Sequence, residues 1–319
     1  MPSVHETAYA LERSDSILPG ASGTDAQIGA AVLSELAAFI AEHGVRRKAK
    51  VKAELELGPY KELLDKPLPR LPRAVALDVY GTLLSGAQAE PGTADLGQPG
   101  ASLSSGLRYP PNMADRLRSL VSREHAKARL AGIPWPEVDA VALFMEAQGL
   151  GPDEGARACV AWECINNPCA PIQGVPAFFD SLKERAMALG IVSNAQFYTP
   201  LFMEAVYERP LYGPDGMGVD PALSFWSYRT GRAKPDSYMY ERLAEKLARR
   251  GIAPSETVYI GNDALNDCAA AAAAGFMTVL FAGDARSYQA RLGEGRLAVP
   301  VADSVVSSWQ SALKIVTDT

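Results

Sequence analysis

Apolar and polar positions divide the chain into two unlike parts. Before about residue 70 the pattern predicts a single helix. Thr24 followed by Gln27 reads as a capping box, Ile28, Val32, Leu36, Phe39 and Ile40 recur at helical spacing, and Gly44 is a fitting stop. Residues 1–22 are polar and unpatterned, which predicts a loose arm. Pro67, Pro69 and Pro72 end any helix and mark a boundary. Beyond them, short apolar runs at residues 74–77, 189–192, 223–226, 258–260 and 278–281 read as buried parallel strands. Helical spacing fills residues 175–188 and 237–250, and the alanine run 269–274 suits a helix packed closely on a sheet. Strands alternating with helices predict an α/β fold, a doubly wound parallel sheet of Rossmann-like design.

About 100 residues separate the first two strands, far more than a crossover needs. They open with a Gly/Ala/Ser/Pro-rich tract at 85–106 of flexible-linker composition. Amphipathic stretches at 113–131 and 137–148 follow, with Gly-Ile-Pro-Trp-Pro between them. The expected organisation is an N-terminal helical extension over 1–70 and a core made of 71–84 and 171–319. A flexible linker and helical insertion over 85–170 interrupts that core.

Composition narrows the partners. Thirty-one basic against thirty-seven acidic residues give a net charge of −6, which argues against nonspecific nucleic-acid binding and against adhesion to anionic lipid. The basic cluster Arg46, Arg47, Lys48 and Lys50 reads as a solvated helix face, since no aromatic residue interleaves it. Four cysteines and three histidines make neither a disulfide scaffold nor a histidine cage. Cys159, Cys164 and Cys169 match no common zinc spacing and read as ordinary thiols. The first fifteen residues lack a basic start followed by an apolar run, and a cytoplasmic protein is expected. Nothing in the pattern specifies an oligomeric state.

In parallel α/β sheets chemistry gathers at the carboxyl ends of the strands. The first run ends in Asp78-Val79-Tyr80-Gly81-Thr82-Leu83, the second in Ser193-Asn194. The third is followed by Gly231-Arg232-Ala233-Lys234-Pro235, and the fourth by Gly261-Asn262-Asp263-Ala264-Leu265-Asn266-Asp267. Asp78 is placed as a nucleophile or metal ligand, Ser193 and Asn194 as donors to an anionic substrate, and Lys234 as a neutraliser of developing charge. Asp263 and Asp267, four apart at a helix start, suit a hard cation such as Mg²⁺. Taken singly, each has a plain alternative: a turn aspartate, a solvated lysine, a helix-capping Asp263. Four such sets at four successive strand ends point to function.

These four motifs, in this order, resemble those of the haloacid dehalogenase superfamily over residues 74 to about 285. The long insertion resembles that family's helical cap, with Gln173-Gly174-Val175-Pro176 at the return to the core. The resemblance implies that Asp78 is the nucleophile of a covalent aspartyl intermediate. It implies that Thr82, Ser193 and Asn194 bind the transferring group and that Lys234 holds the nucleophile and the developing charge. Mg²⁺ would be held by Asp78, the main-chain carbonyl of Tyr80 and the fourth-motif acids. There Asp263 is the favoured direct ligand and Asp267 a ligand or its support, while a longer spacing aligns Asn262 instead.

One departure bears on the substrate. Phosphatases of the family usually carry a second aspartate two residues after the nucleophile, where this chain has Tyr80. Asp-x-Tyr-Gly-Thr-Leu is similar to the motif of 2-haloacid dehalogenases, whose halide leaves without a proton, and Lys234 and Tyr240 echo a pair in those enzymes. Retained Asp263 and Asp267 favour a metal. Three readings follow: a Mg²⁺-dependent hydrolase of a small phosphorylated or phosphonylated metabolite, a metal-independent 2-haloacid dehalogenase, and a weakly active or non-enzymatic binding protein. In each the expected partner is a small anion, with no nucleic acid and no membrane. Arg116, Arg118, Arg123, His125, Lys127 and Arg129 are candidates to face that anion, against the alternative of a solvated helix face.

Overall fold

In the computed structural model, residues 24–46, 55–86, 108–213, 215–293 and 297–318 are described. The expected loose arm, most of the basic cluster and nearly all of the linker tract lie outside them. The centre is a six-stranded sheet of β1 (Ala74–Leu77), β4 (Ala188–Ser193), β5 (Ser224–Trp226), β6 (Thr257–Gly261), β7 (Met277–Phe281) and β8 (Ser304–Val306). Its order is β5-β4-β1-β6-β7-β8 and every pairing is parallel. All five apolar runs are strands of this sheet; β8, short and at an edge, is the one the pattern did not show. A separate antiparallel pair, β2 (Leu84–Ser85) with β3 (Ala170–Pro171), joins the two ends of the insertion where they meet the core.

Period-two side-chain alternation gives each sheet face its own layer. Val75, Leu77, Leu189, Ile191, Val258 and Ile260 face one apolar cluster, shared with Phe178, Phe179 and Trp309. Ala74, Ala76, Val192, Phe225 and Tyr259 face the other, shared with Met239, Leu243, Leu247 and Ala271. Helices therefore cover both faces, which is why these strands read as unbroken apolar runs. The helices are α1 (Ala30–Phe39), α2 (Met113–Leu130), α3 (Ala140–Gln148), α4 (Pro152–Asn166), α5 (Val175–Glu184), α6 (Thr199–Tyr207), α7 (Ser227–Thr230), α8 (Tyr238–Ala248), α9 (Ala270–Ala273) and α10 (Trp309–Thr317). The predicted helix over 175–188 stops early because Ala186 takes a left-handed conformation (φ 51°) and the chain turns into β4. A 3₁₀ turn, Gly58–Leu63, covers the β8 edge: Asp65 N donates to Val305 O at 2.8 Å, and Tyr60 is fully buried.

The insertion is a three-helix unit, α2 to α4, of which α4 had no counterpart in the sequence reading. Its outer helix, α2, buries only Met113. Arg123 pairs with Glu146 and Glu124, Lys127 with Glu124, and Arg118 with Asp115, all on the surface. The arginines named on this helix therefore sit on a largely solvated face.

Helix α1 differs from its expected form. It begins at Ala30 with Gly29 as N-cap, and Thr24–Gln27 form a separate 3₁₀ turn. Thr24 does not cap because its hydroxyl and amide are both bonded to the Asp139 carboxylate, across to the start of α3. The apolar spacing does hold: Val32, Leu36 and Ile40 are buried, and α1 packs on α4 and α6. Leu36→Ala is expected to cost about 2–5 kcal/mol of unfolding free energy, the range for a fully buried leucine. Urea unfolding measures it, and a loss well under 1 kcal/mol would place α1 outside the cooperative unit.

Candidate active site

Parallel pairing aligns the carboxyl ends of β4, β1 and β6, and residues from all four motifs converge there. Asp78 follows β1 directly, its amide donating to Ile260 O at 3.0 Å. Ser193, the last residue of β4, donates its hydroxyl to Asp78 Oδ1 at 2.9 Å. Lys234 Nζ donates to the same oxygen at 2.7 Å and to Asp267 Oδ1 at 2.6 Å. Both donors fall on Oδ1, so neither occupies Asp78 Oδ2. Tyr259 OH completes the ammonium's surroundings at 3.2 Å while donating to Val192 O at 2.6 Å.

All three charged groups are buried. Burial alone lowers the Lys234 pKa, but the charges and hydrogen bonds of Asp267 and Asp78 outweigh it and raise it above the ordinary lysine range. Burial raises the Asp267 carboxyl to about 7, the Lys234 ammonium opposing only part of that rise.

Two glycines allow this approach. Gly261 lies so near Asp267 that a Cβ there would stand 2.4 Å from its carboxyl carbon. Gly81 combines a φ of +84° with the amide of Asn262 and the side chain of Ser287, each 2.6 Å from where a Cβ would lie.

The remaining sequence-derived candidates have contacts of their own. Thr82 and Asn262 meet near the first-motif turn: Thr82 Oγ1 donates to Asn262 Oδ1 at 3.1 Å, and Asn262 Nδ2 donates to Ser287 O. Asn194 is bound to the main chain of Lys234, accepting from its N–H at 2.7 Å and donating to its carbonyl at 3.3 Å, so it shapes the lysine loop. Tyr80 turns its hydroxyl to Thr199 Oγ1 at 3.0 Å, and burial raises its pKa well above the ordinary tyrosine range. It offers no base at neutral pH. Tyr240 donates to Asn266 O at 2.8 Å.

Asp263 stands apart from Asp78 and Lys234. Its Oδ1 caps the following turn through Leu265 N and Asn266 N, both at 3.0 Å, and its Oδ2 accepts Arg291 Nη2 at 2.7 Å. Among the described residues no three acidic, histidine or cysteine side chains form a metal cluster. The donors that suit a hard cation are oxygens: Asp78 Oδ2, the Tyr80 carbonyl, Asn262 Oδ1 and Asp267. Oxygens of this kind suit Mg²⁺, which commonly uses one or two carboxylates and keeps several waters; both Asp263 oxygens are engaged, with the turn and with Arg291.

A six-stranded parallel sheet covered by helices on both faces, with Asp78 at a central strand end and a helical insertion after it, defines a Rossmann-like α/β core with an inserted cap. The model of the haloacid dehalogenase-like hydrolases matches residues 72–275, more than half the chain, and this protein belongs to that family. It is similar to a protein of Xylella fastidiosa (strain 9a5c) described as phosphoglycolate phosphatase, with 29% identity over 224 residues, 68% of this chain and 83% of that one. Among solved structures it resembles an L-2-haloacid dehalogenase from Xanthobacter autotrophicus at 18% identity and TM-score 0.45, over 77% of this chain and 98% of that one. A second, described as a dehalogenase with intermediate complex, is 17% identical with TM-score 0.45, over 79% and 100%. No helix among the described residues is long and apolar enough to cross a membrane.

Sequence reasoning missed two carboxylates of the cap, because no local motif surrounds either. Glu137 accepts from Ser227 Oγ at 2.7 Å and Val138 N at 2.9 Å, and burial raises its pKa. Glu163, on α4, lies close enough to Tyr80 for its charge to raise the phenol's pKa. Burial pushes Glu163 up to about 7, with Asn167 and Tyr198 pulling the other way. Between its ordinary value near 4.5 and about 7 the folded state binds a proton that the unfolded chain has released. Stability should therefore fall as pH rises through that window, by about 3 kcal/mol at most, and level off above it. Urea midpoints at pH 5 and pH 8 measure the slope, and Glu163→Gln should reduce it. An unchanged slope in that variant would place the pH dependence elsewhere.

Proposed function

We propose that the chain hydrolyses a small phosphorylated or phosphonylated metabolite, with Asp78 as nucleophile and Mg²⁺ as cofactor. The observation that carries this reading is the buried Asp78–Lys234–Asp267 arrangement, with Ser193 and Lys234 both on Asp78 Oδ1. A carboxylate held by one oxygen presents the other in a fixed direction. Asp78 Oδ2 attacks phosphorus, the bond to the leaving group breaks, and an aspartyl phosphate forms. Water then cleaves that acyl phosphate, restoring the carboxylate and releasing phosphate. Lys234 remains charged throughout and counters the negative charge that builds beside Asp78. Mg²⁺ bound by Asp78, the Tyr80 carbonyl, Asn262 and Asp267 would supply positive charge facing the anionic substrate. Similarity to proteins described as phosphoglycolate phosphatase supports a small phosphorylated acid as substrate class. A cytoplasmic setting, with a small anion and neither nucleic acid nor membrane as partner, belongs to the same reading. Four free, buried cysteines support that setting.

One observation favours a second reading, metal-independent dehalogenation of a 2-halo acid. Position 80 carries a phenol bonded to Thr199 and no carboxyl group, so a leaving group must depart without a proton from that position. Halide needs none. A panel of aryl and alkyl phosphates, phosphonates and 2-halo acids, with and without Mg²⁺, separates the two. Phosphate release that requires Mg²⁺ and runs faster from aryl than alkyl esters is expected. Asp78→Asn should lower it by several powers of ten, and quenched wild-type enzyme should carry a covalent adduct on Asp78. Halide release without metal would put the second reading in place of the first.

A further inference from the structure

Residues 24–46 precede the stretch matched by the family model, 72–275, yet they reach into its machinery. Asp25 is buried against Arg229, the side chains 3% and 2% exposed. Its Oδ2 accepts Arg229 Nη2 at 3.4 Å and Tyr228 OH at 3.2 Å, and Arg229 Nε donates to Tyr228 OH at 2.8 Å. Charges removed from water this completely persist only where their partners are held in place. Arg229 belongs to α7, five residues before Lys234. From α7 onward each turn is tied to the next: Thr230 Oγ1 donates to Arg232 O at 3.0 Å, and Asn194 grips the main chain of Lys234.

The same segment also holds the cap. Thr24 N donates to Asp139 at 2.9 Å, Gly29 N to Asp153 at 3.1 Å, and Arg157 Nη2 to Glu35 Oε2 at 2.8 Å. At its far end Arg46 N donates to Cys169 O at 2.7 Å and Cys169 N to Gly44 O at 2.8 Å, beside the strand pair that joins cap to core. The cap in turn pairs with the lysine loop. Ala233 N donates to Trp135 O at 2.8 Å and Glu137 N to Gly231 O at 3.1 Å, while Ser227 Oγ donates to Glu137 Oε2. The loop that carries Lys234 is therefore braced on one side by the N-terminal segment and on the other by the cap which that segment fastens.

We infer that residues 24–46 are a strap belonging to the catalytic unit, and that Asp25 is a positioning residue for the Lys234 loop, acting through Arg229. An appended helix that merely adds stability would strengthen every element alike. A strap acts on two places, the loop at 227–236 and the cap turn at 133–140, and leaves the central strands untouched.

Hydrogen exchange on the full chain distinguishes these well below the melting temperature, with no need to know the substrate. In Asp25→Asn, exchange at 227–236 and 133–140 should rise tenfold or more, with β4 and β6 within twofold of wild type. Asp25→Glu, which restores the charge, should recover part of the protection. On whichever substrate the panel yields, kcat should fall about tenfold with KM changed less, since the lysine acts on developing charge. Unchanged exchange at 227–236, or an equal rise in β4 and β6, would overturn the inference. Should Asp25→Asn fail to fold, Glu35→Gln, at a half-buried pair, gives the same reading. A rise at α4, 133–140 and 227–236 with β4 and β6 within twofold of wild type supports the strap, and a uniform rise, or no rise at 227–236, overturns it.

Discussion

Lys234 lies between Asp78 and Asp267 in a nearly buried space, and the arrangement of everything nearby follows from keeping that ammonium paired. A buried lysine without carboxylates would lose its proton, and two buried carboxylates without the lysine would repel each other. The pair of contacts, 2.7 and 2.6 Å, satisfies both requirements at once. It also fixes where the rest must go. Gly261 has no side chain because Asp267 occupies that volume, Tyr259 sits under the ammonium, and Asn194 holds the loop from which the lysine projects. Ser193 then completes the orientation of Asp78.

Around this centre the fold uses its insertion as a wall. Cap and core meet through main-chain pairing beside the lysine loop and through side chains such as Gln196, which accepts from Ala140 N at the start of α3. Buried carboxylates at this junction, Glu137 and Glu163, have pKa values raised by desolvation, and none is answered by a motif in the surrounding sequence. The N-terminal segment closes the arrangement from outside the family's usual boundaries. In this protein the unit that holds the lysine loop is larger than the unit that carries the four motifs.

Tyr80 shows how one position shapes the available chemistry. Its hydroxyl bonds Thr199, and its raised pKa keeps the phenol neutral. In the proposed hydrolysis, departure would then rely on the leaving group's own stability, with Asp78 and Lys234 serving the attack. The third-motif lysine and the first-motif aspartate are thus common to both chemistries considered for the family, and position 80 separates them.

What the sequence by itself determined is the sheet and the four strand-end motifs. Each of the five apolar runs became a strand, because burial on both faces demands an unbroken apolar run that no solvated element shows. Asp78, Ser193, Lys234 and Asp267 were legible because each ends or closely follows such a run, and strand ends of a parallel sheet meet. Tertiary structure alone decided the rest. Asp263 and Asp267 are both fourth-motif acids, four residues apart, but Asp263 caps its own turn and pairs with Arg291, 28 residues later. Thr24 had the spacing of a helix cap, but Asp139, 115 residues away, took its donors. Asp25 and Arg229, 204 residues apart, form a buried pair that neither local stretch foreshadows. Local pattern reports which residues avoid water. Which polar group bonds which depends on where the chain brings distant groups together, and that is settled only when the fold closes.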